Sequence, residues 1–373
     1  MRIALLGCKG IPAATSFGGG VESYVEQLAV RLRDRGHEVV VYVRPYANPH
    51  RKTSFSGVRL ITLPSIRTKH LDTITHTLLS SGHVLGQDVD IVHYHGVGPS
   101  TLSWIPRLLK PRAKTVATFH SRDQFHGKWG PLAKAYLAFG EWASLAFPHA
   151  TTTPSHTIKV FCEKMYGRSP EHIPNAVEVP MAHPGSDHLA AFGLVPGEYF
   201  FTLARLIPHK AIDEAVDAFR NVRTRKKLVV IGEGSPDQAR YVAKLHEQAK
   251  RDPRIVMVGR QTGAALKQLI ANGYAMVHPS HSEGLSVAIL EAMSYGKVVV
   301  MSDIPENLEL MEDSGIPFPV GKVAELARAV QWCEDRPELV AARGARALET
   351  IRRSYSWDAV VGRMERFYQS LLV

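Results

Sequence analysis

Four side chains in the second half of this 373-residue sequence have the types and spacing to hold a ligand that carries both phosphate and hydroxyl groups. In "TLARLIPHKAIDEAVDAF", Arg205 stands at a strand end and Lys210 at the entry to the next helix. Arginine presents a planar fork of donors and lysine a compact charge, a combination suited to a diphosphate. A solvated loop uses the same residue types, so the pair signifies a site only together with further elements. "HPSHSEGLSVAILEAM" supplies them: a Pro-Ser-rich loop reaches Gly284, and a helix from about Leu285 offers unpaired backbone N–H groups and a positive dipole end. Glu283 and Glu291 flank that helix start, about 12 Å apart if all eight residues were helical. This is comparable to the distance between the two hydroxyl-bearing ends of a nucleotide sugar. A glutamate facing water is the plain alternative for Glu291, but its neighbours Ile289, Leu290, Ala292 and Met293 are apolar, so it needs a partner.

The first half carries a different set. In "PAATSFGGGVESYVEQ", Gly18, Gly19 and Gly20 directly precede a helix, where backbone can approach a ligand closely. "GCKGIP" is not a dinucleotide fingerprint, because no third glycine opens the helix and no acidic residue follows the second strand, which argues against a dehydrogenase. His93, His95 and His120 end strands. His93 and His95 share one face, which permits metal binding, but no third ligand follows at useful spacing and hydrogen-bonding roles are expected instead. Asp88 and Asp90 spell Asp-x-Asp, yet at the amino end of a strand, where a strand-entry turn is expected.

Repeated strand-turn-helix units must position these residues. "RIALLG" precedes "VESYVEQLAVRLRDRG", whose Val21, Val25, Leu28, Ala29 and Leu32 recur at helical spacing. "HEVVVYV", "VRLITL", "DIVHYHG", "KTVATFH" and "ATTTPS" follow as strands, and the pattern restarts at "EYFFTLARL" and runs through "KKLVVIGEG", "RIVMVGR", "AMVHPS" and "KVVVMSD". The expectation is an α/β chain of two doubly wound, parallel-sheet domains with ligands in a cleft between them. Pro180, Pro184, Gly185, Pro196 and Gly197 mark a linker, so the domains are drawn as residues 1–183 and 184–355, with 356–373 a helix returning to the first domain.

The three cysteines, widely spaced and odd in number, suggest a reduced, cytoplasmic protein, and the short apolar run at the start does not read as a signal peptide. The net charge of +10 is unevenly placed: residues 1–183 hold 21 Lys and Arg against 12 Asp and Glu, and residues 184–373 hold 24 against 23. An anionic partner of the first half is one implication; solubility is the other. No nucleic-acid motif appears, and none is expected as a partner.

From "GGGVESYVEQLAVRLRDRGHEVVVY" through "TFH", "TPS", "IPNAV", "LARLIPHK" and "VIGEG" to "SEGLSVAILEAMSYGKVVV", nearly the whole chain resembles the retaining glycosyltransferases of the GT-B fold, family 4 (group 1) type. The resemblance implies that Arg205 and Lys210 neutralise the donor diphosphate, that Glu291 binds ribose and that Glu283 orients the transferred sugar with backbone amides near Gly284 and Leu285. Ser286 and Gly232 join the donor site, Gly18 to Gly20 approach the phosphates, and His120 sits near the reacting centre. His95, Arg122 and Lys128 are assigned to the acceptor side. It implies no cofactor and no metal, a UDP-, GDP- or dTDP-linked sugar as donor, and a glycan or lipid-linked acceptor. "GLS" after Glu283, where relatives often carry an aromatic residue or proline, leaves the sugar open; "GCKGIP" resembles a subgroup associated with bacterial surface polysaccharides. An epimerase of the same fold and a non-catalytic sugar- or nucleotide-binding protein are the alternatives. "HSRDQFHGKWGPLAKAYLAFGEWASLAF" mixes basic and aromatic residues as an anionic membrane surface would require, or forms a plain core helix from about Leu132 to Phe147.

Overall fold

Short β-branched runs build two sheets in the computed structural model, which describes residues 1–13, 19–68, 71–121 and 130–373. The first contains β1 (Arg2–Leu6), β2 (Glu38–Val43), β3 (Ser54–Phe55), β4 (Val58–Thr62), β5 (Ile91–His95), β6 (Lys114–Thr118), β7 (Ala150–Thr153) and β8 (Glu171–His172), in the order β3-β4-β2-β1-β5-β6-β7-β8. All neighbours are parallel except the β3–β4 hairpin. Helices cover both faces of such a sheet, so its strands read as continuous apolar runs, as in the wholly buried Ile3 to Leu6. The two-residue strands β3 and β8 are too short to leave a periodic signal.

From β1 the chain steps outward to β2 and β4, then returns to β5 and proceeds the other way. Loops therefore leave β1 and β5 in opposite directions, the switch point at which such sheets take ligands. Gly7, just after β1, has φ +99°, and a Cβ there would lie 2.7 Å from the His95 carbonyl oxygen. Only glycine permits that approach. The helix Gly20–Asp34 buries Tyr24, Val25, Leu28, Ala29 and Leu32; Val21, expected in the same stripe, is only half-buried.

The second sheet contains β9 (Tyr199–Leu203), β10 (Lys227–Ile231), β11 (Ile255–Gly259), β12 (Met276–His278), β13 (Val299–Ser302) and β14 (Ile316–Phe318), all parallel, in the order β11-β10-β9-β12-β13-β14. Its switch point lies between β9 and β12. Apolar clusters fill both faces: one around Phe200, Phe219 and Val230, the other around Phe201, Ile289 and Leu290.

The chain divides into Met1–Asn175 with Trp357–Val373, and Ala176–Ser356. The break thus falls after Asn175, not near Pro184. The Pro- and Gly-rich stretch belongs to the second unit because its backbone is bonded there: Gln268 Nε2 donates to the Pro184 carbonyl at 2.9 Å, Asn272 Nδ2 to that of Gly185 at 2.7 Å, and the Val177 N–H to that of Tyr355 at 2.9 Å. The final helix, Trp357–Leu372, buries Val360, Val361, Met364 and Tyr368 in the first unit, and Glu365 binds Arg35 at 3.1 Å and His37 at 2.9 Å. With that helix counted, the first unit holds 23 Lys and Arg against 13 Asp and Glu, and the second 22 of each, so the whole excess lies in the first. Among the described residues no helix is long and apolar enough to cross a membrane.

Candidate active site

In the second unit, the loops after the neighbouring strands β9 and β12 meet, and the His281 N–H donates to the His209 carbonyl at 2.8 Å. This brings Lys210 onto Glu283, whose two carboxylate oxygens each accept from Nζ at 2.6 Å. His278 Nε2 lies 2.8 Å from Glu283 Oε1. The Glu283 side chain is only 7% exposed. Burial pushes its pKa up, but the hydrogen bond from His278 and the charges of His278 and Lys210 outweigh it and hold the carboxyl well below its ordinary range. Glu283 is therefore an anion with a fixed orientation.

Arg205 differs from Lys210 in being exposed and in having no side-chain partner among the described residues. It lies two residues after the end of β9. Nearby Gly232, after β10, has φ +151°, and a Cβ there would lie 1.9 Å from the Ala204 carbonyl oxygen. The geometry thus gives Gly232 a packing reason: it lets the chain beside Arg205 pass close to the end of β10.

The helix after β12 runs from Val287 to Ser294, two residues later than the sequence pattern suggests, because Ser286 is its N-cap and its Oγ accepts the Ile289 N–H. Gly284 and Leu285 precede the cap, Leu285 buried and Gly284 half-buried. Glu283 lies in the loop, so the span estimated for a continuous helix does not apply to the two glutamates. Glu291 is half-buried beside Ile289, Leu290 and Ala292, all wholly buried, and its carboxylate has no hydrogen-bond partner among the described residues. Burial raises its pKa to about 7. Two glutamates eight residues apart therefore stand in opposite states, one paired and ionised, the other unpaired and ready to take a proton or a pair of hydroxyl donors.

In the first unit, Gly19 is the N-cap of its helix and Gly20 the first helical residue; the Gly19 N–H donates to Glu22 at 2.8 Å. A Cβ at Gly20 would meet no atom of the described residues within 4 Å. Gly18, Arg122 and Lys128 lie outside the described residues. His120 follows β6, its Nε2 3.1 Å from His95 Nδ1, and His95, expected on the acceptor side, is 1% exposed behind it. Asp88 and Asp90 both bind Arg2, Asp90 at 3.0 Å, which ties the Asp-x-Asp to the amino end of the sheet as a strand-entry turn. Among the described residues no three His, Cys, Asp or Glu side chains are grouped to hold a metal ion.

Comparison with known proteins matches residues 18–179 to the description Glycosyltransferase Family 4 and residues 197–335 to Glycosyl transferases group 1. The chain belongs to the family 4, group 1 glycosyltransferases. It is 27% identical to a phosphatidylinositol N-acetylglucosaminyltransferase subunit of Arabidopsis thaliana, over 95% of this chain and 79% of that one. To the phosphatidyl-myo-inositol mannosyltransferase of Mycolicibacterium smegmatis it is 26% identical, over 100% and 94%. The crystal structure of Anabaena HepE in complex with UDP and glucose superposes with a TM-score of 0.80 at 18% identity, over 99% of this chain and 100% of that one, and shows the GT-B fold.

Sequence reasoning misses three parts of the glycosyltransferase's strand-end clusters. His278 reads as no more than the last residue of a strand, although a histidine closing an apolar strand five residues before a glutamate is a legible sign. Glu22 and Glu26 fasten the two flanks of the glycine loop: Glu22 accepts the Lys9 and Gly19 N–H groups at 3.0 and 2.8 Å, and Glu26 accepts the Ala13 N–H. Tyr24 packs its ring edge-on to His120 at 5.3 Å. Nothing in the local pattern distinguishes that tyrosine from any other core residue.

Proposed function

We propose that this glycosyltransferase moves a sugar from a nucleotide-diphosphate sugar to a lipid-linked or glycan acceptor, with retention of anomeric configuration and without a metal ion. The observation that carries the donor assignment is that the meeting loops after β9 and β12 bring a fixed anion, Glu283 held by Lys210, and a helix start to the strand end that also carries the exposed cation Arg205. Arg205 binds the diphosphate with its fork of donors, and the backbone amides near Gly284 and Leu285 add theirs. Glu283 accepts from hydroxyls of the transferred sugar. Lys210 holds Glu283 in place and presents its charge to the departing phosphate. Glu291, whose carboxylate has no hydrogen-bond partner among the described residues, takes the ribose hydroxyls.

Fixed donors of this kind act where charge develops as the sugar–phosphate bond breaks, the electrostatic work a metal would otherwise do. The acceptor hydroxyl attacks from the face the phosphate leaves, and its proton passes to the leaving phosphate oxygen. His120 donates a hydrogen bond to the substrate from the first unit.

A lipid-linked acceptor is supported by the phosphatidylinositol named in two relatives. It is also supported by the first unit's surface, which carries the whole basic excess and exposes Trp104, Leu108, Leu109, Phe139 and Trp142. UDP-sugars come first among donors to test, since HepE was crystallised with UDP and glucose. The test is thermal stabilisation by a panel of UDP-, GDP- and dTDP-sugars in EDTA, followed by NMR of the product anomer. Stabilisation by one donor and a retained anomeric configuration are expected; inversion, or a strict Mg²⁺ requirement, refutes the reading.

A further inference from the structure

Beneath the carboxyl ends of β5, β6 and β7 a chain of buried polar groups reaches from the final helix into the sheet. Tyr368 Oη lies 2.6 Å from His93 Nδ1, His93 Nε2 lies 2.7 Å from Thr118 Oγ1, and Thr118 Oγ1 lies 2.7 Å from Thr152 Oγ1. All four residues are 2% exposed or less. These contacts form one continuous run whose hydrogens can point either way: with Tyr368 donating to His93 Nδ1, His93 Nε2–H to Thr118 and Thr118 to Thr152, the hydroxyl proton left at the end is that of Thr152. In the reverse direction it is that of Tyr368, so the run itself does not choose; what decides elsewhere is that buried donors without acceptors are the rarer defect.

That rule decides the next ring. His95 stacks against His93 with centroids 4.2 Å apart, and its Nδ1 lies 3.1 Å from His120 Nε2. Its own Nε2 is buried with no hydrogen-bond partner among the described residues. If His120 were the donor, His95 would carry its proton on Nε2, as a buried N–H with nothing to receive it. If His95 is the donor, only a lone pair is left unmatched. A doubly protonated His95 would bury a charge beside two other imidazoles, and burial already holds its pKa well below the ordinary value.

We infer that His95 is a positioning residue: its Nδ1–H donates to His120 Nε2 and thereby fixes His120 as the Nδ1–H tautomer. His120 then meets its substrate as a hydrogen-bond donor and not as a proton acceptor, since Nε2 is engaged and Nδ1 carries the proton. The consequence for transfer rests on the proposed role of His120; the tautomer itself does not. Tyr368, through His93, connects the final helix to the ring on which His95 is stacked.

The experiment is NMR of the full chain with ¹⁵N-labelled histidine at about pH 7, His120 being assigned by its loss in His120→Gln. A protonated-type Nδ1 and an unprotonated-type Nε2 are expected for His120; the reverse pattern, or an averaged pair, overturns the inference. In His95→Leu the two His120 nitrogens should approach averaged values. In His95→Asn, whose amide can stand where Nδ1–H stood, the wild-type pattern should return. Kinetically, His95→Leu should lower kcat roughly tenfold, as for loss of a residue that orients a functional histidine, with donor KM little changed and His95→Asn partly restoring it. Combined with His120→Gln, His95→Leu should cause no further loss of kcat; an additive loss would mean that His95 does not act through His120. Should His120→Gln leave transfer intact, the proposed role of His120 fails while the wild-type spectrum still decides the tautomer.

Discussion

At the ends of β9 and β12, Glu283 lies ionised between Lys210 and His278, whereas at the ends of β5 and β6 three imidazoles, His93, His95 and His120, adjoin one another with Tyr24 and Tyr368 as their aromatic surroundings. The first cluster occupies the switch point of its sheet, and the second lies beside the switch point of its own, where β5 adjoins β1. One holds charge, because a cation and a histidine offset the burial of the anion. The other holds orientation: burial moves His93 down to about 3 and His95 also well down, so hydrogen bonds rather than charges organise it. Strand ends of two similar folds are thus organised differently, one by charge and the other by hydrogen bonds; under the proposed function the first would face an anionic ligand and the second a neutral one.

The sharpest way to break this contrast is to remove the unpaired cation. Arg205→Ala should lower transfer by roughly 10²–10³-fold, as for loss of one preorganised electrostatic donor, with the fold intact. A turnover near that of the wild type would show that the diphosphate is held elsewhere. Lys210→Ala should also damage the protein itself, since it leaves buried Glu283 with His278 alone; a loss on the order of 3 kcal/mol is expected in denaturant unfolding. If Lys210→Ala is as stable as the wild type, the pair is not what holds Glu283.

A smaller effect separates the glutamates by pH. Burial raises the Glu291 pKa from 4.5 to about 7, so across that window the folded state keeps a proton that the unfolded state has lost. Its contribution to stability is full below 4.5 and declines as pH rises toward 7. Glu283 has the opposite sign: its pKa is depressed, and its contribution is present above 4.5 and declines as pH falls below that value. Hydroxyl donors favour the ionised form of Glu291, so nucleotide diphosphate affinity should rise as pH passes through about 7. Calorimetry in buffers of different ionisation enthalpy should detect proton release on binding. Glu291→Gln should abolish both the pH dependence and the release, and Glu283→Gln should spare nucleotide diphosphate affinity while lowering transfer. An unchanged pH profile in Glu291→Gln would remove Glu291 from the ribose site.

The smallest effect concerns the basic unit. Each Lys or Arg near an anionic lipid surface adds about 1 kcal/mol, so weak co-sedimentation with phosphatidylserine-containing vesicles, lost at high salt, is expected. Equal binding to neutral vesicles would assign the contact to the exposed aromatic and leucine side chains alone, and no binding to either would favour a soluble acceptor.

Much of the fold is legible because parallel strands buried on both faces must be apolar runs, and "KKLVVIGEG" or "AMVHPS" admit no other element of that length. The domain boundary departs from its expected place for an equally physical reason. Proline and glycine at 180–197 mark where regular structure ends, but they do not say whose side chains satisfy the backbone there, and Gln268 and Asn272 lie some eighty residues further on. Arg205, Lys210, Glu283 and Glu291 are visible as types at spacings, and the helix start between them as a Pro-Ser-rich loop reaching Gly284, whereas the Ser286 cap that sets its true first turn is not.

By itself the sequence determined the alternation of strands and helices, the placement of chemistry after strands, and the asymmetry of charge, because these follow from local periodicity and composition. Only the tertiary structure decided which cation has a partner among the described residues, that two glutamates on one short segment have pKa values shifted in opposite directions, and that His95 lies behind His120. Those properties depend on distances between residues far apart in the chain: Lys210 and Glu283 are separated by 73 positions, and His93 and Tyr368 by 275. Burial and partner geometry set a pKa or a tautomer, and neither exists until the sheet has brought the strand ends together.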